Sequence, residues 1–148
     1  MAIWGSLVFA LIAGAMIPFQ AGINVQLAGL VGGSLRAALV SFVVGTAALF
    51  LLALLATRGV PSVSRAAAAP WWVWVGGLLG AFYVFGSIVT APRLGAVVLI
   101  AAVVAGQSIA SVVIDHHGWV GFDEHSVTPG RIAGLVLLGA GVALVRIF

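Results

Sequence analysis

The chain has 148 residues, 64% hydrophobic and 6% charged, with a mean hydropathy of +1.31. A soluble domain carries about a quarter charged residues; six basic and three acidic side chains cannot hydrate a 15.0 kDa globule, so the chain is read as an integral membrane protein. The net charge of +3 comes from arginines scattered singly, with no Lys, which reads as interfacial anchoring and excludes a nucleic-acid patch; the lack of Cys excludes disulfides, thiol catalysis and Cys-ligated metal.

The first apolar segment covers about residues 3–31, with no charge before Arg36. Its start, "MAIWGSLVFALIAGAM", carries an A-G-A at Ala13 to Ala15 in the manner of a signal peptide. No Lys or Arg precedes the apolar core, however, and the run continues well beyond it, so an uncleaved first transmembrane helix is expected. At 1.5 Å per residue this segment would reach about 43 Å, against a hydrocarbon core of about 30 Å. Pro18 near its centre removes a backbone hydrogen bond, which predicts a kink, with Gln20 and Asn24 just beyond it.

"GGS" at Gly32 to Ser34 closes that segment, and a second helix is expected over 35–57. A polar loop with Arg58, Pro61, Ser62, Ser64 and Arg65 follows. The third helix, 71–91, opens after Pro70 and closes at Pro92 and Arg93; Trp71, Trp72 and Trp74 at its start read as an interfacial aromatic belt. The fourth, 94–114, leads into the longest polar segment, "DHHGWVGFDEHSVTPG". The fifth, 128–145, begins with Thr128 as N-cap and Pro129 at the first helical position. The expectation is a single all-α domain of five transmembrane helices, with short links making neighbours antiparallel. The alternation over roughly ten-residue strands that a β-barrel needs is missing.

Arg58, Arg65 and Arg131 fall on one side of such a bundle, and Arg36, Arg93 and Arg146 on the other. The positive-inside rule therefore gives no orientation. A balanced charge on an odd number of helices predicts dual topology: an antiparallel homodimer whose ten helices form an inverted repeat. A chance tie, or a partner that fixes the orientation, would give the same balance.

No Asp, Glu, Lys or Arg lies deep within a segment, although such a group is the usual mark of ion coupling. The polar residues there are neutral. Gln20 and Asn24 share a helix face, as do Tyr83 and Ser87, and Gln107, Ser111 and Asp115 form a stripe towards the interface. With Ser41 on the second helix, these eight are the candidate solute-binding residues. Side-chain amides are costly in hydrocarbon unless satisfied, which favours a function for Gln20, Asn24 and Gln107. Single Ser residues read better as interhelical glue. Gly76 with Gly80, and Gly130 with Gly134, are G-x-x-x-G pairs suited to close helix packing. His116, His117, Asp123, Glu124 and His125 lack metal-ligand spacing and read as a solvated surface loop; no metal or cofactor is expected. No P-loop, nucleophile elbow or buried carboxylate pair supports catalysis, so the chain is not read as an enzyme.

"PFQAGINVQLAGLVG", "SFVVGTAAL", "WWVWVGGLLGAFYV", "PRLGAVV" and "VAGQSIASVVIDHHGWVG", followed by Arg131, together resemble the YdcZ-type proteins across nearly the whole chain. These are bacterial five-helix membrane proteins of the drug/metabolite transporter superfamily. The matching positions are Gln20, Asn24, Ser41, Phe42, Gly45, Gly76, Gly77, Gly80, Gly95, Gly106, Gln107, Asp115, Gly118 and Arg131. The resemblance implies an inner-membrane transporter, built either from paired five-helix chains or from a fused ten-helix chain. Small multidrug-resistance relatives use a central glutamate in the first helix for proton exchange; this chain has none there, which argues against cationic-drug/proton antiport. The resulting expectation is alternating-access movement of a small neutral or anionic solute past Gln20, Asn24, Tyr83 and Gln107, with Asp115 near one mouth. The rival is a non-transporting assembly subunit whose amides are glue.

Overall fold

The structure is a computed structural model that describes residues 3–57 and 66–148. Arg58 and Arg65, and with them the polar loop they bound, lie outside the described residues. Helix α1 spans Ile3–Val31 and α2 spans Ser34–Thr57. Pro70 leads into a single 3₁₀ turn, Trp71–Trp74, and α3 then runs over Val75–His117. A second 3₁₀ turn, Trp119–Gly121, precedes α4, Pro129–Ile147. No strand occurs among the described residues.

Local chemistry sets most of these boundaries. Gly32 and Gly33 have φ values of 79° and 138°, and the Gly33 N–H donates to the Ala28 carbonyl at 2.8 Å, a left-handed helix stop that glycine adopts without steric cost. Arg36 Nη1 adds a bond to the Val31 carbonyl at 3.4 Å, placing a cation on the C-terminal end of α1. At α4 the Thr128 hydroxyl accepts from the Arg131 N–H at 3.3 Å with Pro129 in the first turn, the expected cap. Pro18 lies inside α1, which stays helical through it. Its fixed φ is compatible with helix, so the loss is one backbone hydrogen bond rather than the element.

The helix expected over 71–91 and the one expected over 94–114 follow one another directly and meet at a kink at Gly95; with that stretch counted once, four helices among the described residues are long and apolar enough to cross a membrane. Pro92 sits within the run; the residue that leaves helical geometry is Gly95, at φ 74° and ψ 166°. The helix also extends past residue 114 to take in Asp115, His116 and His117.

The chain divides into two compact units, Met1–Pro92 and Arg93–Phe148. In the first, Ala37, Ala38, Val84 and Ile88 form the buried centre, flanked by Val25, Ala28 and Tyr83. Alanines at the contact let helix backbones approach closely, the packing that small residues supply in lipid. In the second, the residues after Gly95 and those of α4 line a common groove. Elsewhere large apolar side chains lie open: Phe9 is 73% exposed, Leu11 74%, Phe82 77% and Leu137 73%. In water such a surface would aggregate; against lipid tails it is a matched surface.

Candidate functional site

The first unit gathers Gln20, Asn24, Tyr83 and Ser87, with Ile17, Ala21 and Val84, around a crevice of about 10 Å³, roughly the space of one water. One turn separates Gln20 from Asn24, and another separates Tyr83 from Ser87, which is why each pair presents one face. Asn24 is 4% exposed and its side chain lines this crevice. Ser87 is also buried, but its hydroxyl donates to the Tyr83 carbonyl at 2.8 Å, and Thr90 does the same to Gly86 at 2.8 Å. Those hydroxyls are satisfied within their own helix. Gln20 also borders a groove of about 180 Å³ with Ser41, Phe42, Gly45 and Thr46 on α2.

The second unit holds a larger, open groove of about 520 Å³. Gln107, Ser108, Ser111 and Asp115 line one wall, with Arg131, Gly134, Leu135 and Leu138 of α4 opposite. The polar stripe expected from Gln107 to Asp115 is thus one wall of a cavity, while Gln20, Asn24, Ser41, Tyr83 and Ser87 belong to the first unit. Arg131 Nη1 lies 3.4 Å from Asp115 Oδ2, the one ion pair among the described residues, with the two side chains 32% and 30% exposed. At that exposure such a pair contributes on the order of 0–1 kcal/mol. The same nitrogen donates to the His125 carbonyl at 3.3 Å, and the His125 N–H donates to the Asp115 carbonyl at 2.7 Å, folding the loop back across the end of α3.

Arg131, read from the sequence as an orientation marker and as a position of the family resemblance, was not among the eight candidate solute-binding residues, yet it lines this groove. The available signal was its place beside the helix N-cap Thr128, which returns the chain towards the end of α3. The histidines take other roles: His117 stacks on Trp119 with ring centroids 4.6 Å apart, and His125 Nδ1 lies 3.0 Å from the Asp123 carbonyl oxygen. None of the three acids, Asp115, Asp123 and Glu124, is buried.

These features define a multi-pass helical membrane protein whose polar side chains, mostly uncharged, line narrow crevices and one open groove. Residues 6–144 match the family described as "Putative inner membrane exporter, YdcZ", and the chain belongs to that family. Among curated proteins it is similar to the "Inner membrane protein YdcZ" of Escherichia coli (strain K12), with 39% identity over 79 residues; the match covers 51% of this chain and 50% of that protein. The chain thus covers about half the length of the curated relative it matches. No solved structure matches it. The protein is accordingly a multi-pass protein of the inner membrane, in a family whose description names a "Putative inner membrane exporter" and no enzyme.

Proposed function

We propose that the protein exports a small solute by alternating access as an antiparallel, dual-topology homodimer. The observation that carries this reading is the groove of about 520 Å³, lined by an amide, two hydroxyls and an ion pair in a chain that is 64% hydrophobic. Polar groups in a membrane bundle are costly unless they serve a pathway or pair across helices. The Asn24 amide on the crevice of the first unit adds a second polar surface of the same kind.

Five spans per chain follow in this reading from the length of α3. Its 43 residues would reach about 64 Å as one straight rod, twice the hydrocarbon thickness, and the non-helical backbone at Gly95 divides them. An odd span number lets two oppositely inserted chains supply the inverted repeat that many transporters carry within one chain. Fixed charge in the groove sums to zero across Asp115 and Arg131, which suits a solute of no net charge better than a bare cation.

A packing subunit is the second reading; the Ser87 hydroxyl decides nothing between the two, since it bonds the Tyr83 carbonyl of its own helix. The two readings part on the amides. Proteoliposomes loaded with a mixture of small metabolites should release a subset of them, and Gln20→Ala or Gln107→Ala should abolish that release without loosening the dimer. Equal loss of dimer stability would assign the amides to packing.

A further inference from the structure

We propose that the Asp115–Arg131 groove binds a small zwitterion, a solute carrying an ammonium and a carboxylate close together on one apolar body. The inference names the solute class of the exporter reading and rests on that reading for its purpose, although the binding site stands on its own geometry. Asp115 and Arg131 meet through a single pair of atoms at 3.4 Å rather than through a two-pronged contact, and both remain about one-third exposed. Among the described residues, Asp115 Oδ1 and the Nε and Nη2 atoms of Arg131 have no partner. An acceptor and a planar donor array therefore lie side by side, open to the groove.

Charge decides which solute can use them. An anion on Arg131 alone would take the guanidinium from Asp115 and leave that carboxylate without its partner, and a cation on Asp115 would do the same to Arg131. A zwitterion satisfies both groups at once, its ammonium on Asp115 and its carboxylate on Arg131. A neutral solute can hydrogen-bond to either group but makes no charge–charge contact with them. Gln107 and Ser111 can add hydrogen bonds, while Leu135 and Leu138 offer apolar surface to the solute's side chain. Arg131 is held from behind by the His125 carbonyl, so it is preset for this role without being consumed by it.

The test is equilibrium binding to the purified full chain, using two matched series. One is phenylalanine, phenethylamine and 3-phenylpropionate; the other is alanine, ethylamine and propionate. The zwitterion of at least one series should bind about tenfold or more tighter than both single-charge analogues, since a hydrogen bond to a charged group is worth about one decade in affinity. Asp115→Asn should bring phenylalanine down to the level of 3-phenylpropionate, and Arg131→Gln down to that of phenethylamine. The double exchange Asp115→Arg with Arg131→Asp keeps the pair and should retain the zwitterion preference. A single-charge analogue binding as tightly as its zwitterion, or no zwitterion binding at all, overturns the proposal. Should the variants fail to fold, the ranking measured on the unaltered chain still decides it. Zwitterion binding without flux of labelled phenylalanine in proteoliposomes would sink the exporter reading alone; metabolite flux without zwitterion preference would sink this one alone.

Discussion

Gly95→Ala offers a clean test of how α3 is built, because two geometries predict opposite signs. At φ 74° and ψ 166°, Gly95 occupies a backbone region that is essentially reserved for glycine. Placing an L-residue there costs about 1–3 kcal/mol. The reduced freedom of the unfolded chain returns about 0.4–1 kcal/mol, leaving a net loss of roughly 1–2 kcal/mol. An added Cβ at Gly95 would meet no atom within 4 Å, so the loss is one of backbone strain and not of crowding. Gly106 is the control: it also has open space for a Cβ but lies within the helical run. There Gly→Ala should stabilise by about 0.5–1 kcal/mol. Equilibrium unfolding in mixed micelles, with the fraction of unfolding denaturant as the variable, should move the two variants in opposite directions. If Gly95→Ala stabilises as Gly106→Ala does, α3 is an unbroken helix and the division into two spans is wrong.

Three further outcomes follow from the same structure. Asn24→Leu removes an amide that lines the crevice of the first unit, so metabolite efflux should be lost with the unfolding midpoint little changed; a loss of stability of about 1–3 kcal/mol would instead show that the amide is hydrogen-bonded in the native protein. Thr128→Ala removes the cap of α4 and should cost about 1 kcal/mol in the same unfolding assay, with Thr128→Ser close to neutral. A reporter fused to the C-terminus should give signal from both sides of the membrane; signal confined to one side refutes dual topology.

Much of the fold was legible because apolar length and helix-end chemistry are local. The run from 3 to 31, the "GGS" stop and the Thr128–Pro129 start each depend on a few adjacent residues, and the observed α1 and α4 begin or end there. The interruption in α3 was placed at Pro92 and Arg93, where proline suggests a stop, yet a proline's φ fits a helix and the positive φ falls on Gly95. The site was legible in part. Helical spacing put Gln20 with Asn24 and lined up Gln107, Ser111 and Asp115, and each set does share a cavity. Spacing carries no information about what faces a stripe from another helix. Arg131 reaches Asp115 only because the loop turns back through Gly118, at φ 61°, and is tied by the His125 N–H to the Asp115 carbonyl. Nor does spacing reveal that the Ser87 hydroxyl is already spent on Tyr83.

Metabolite efflux from proteoliposomes tests the central claim most directly. Vesicles holding the unaltered chain and a defined metabolite mixture should lose particular small solutes faster than protein-free vesicles, and Gln107→Ala should return that loss to the protein-free rate with the fold intact. Efflux indistinguishable from protein-free vesicles for every solute in the mixture, at full incorporation of folded protein, would contradict export and leave the amides as packing.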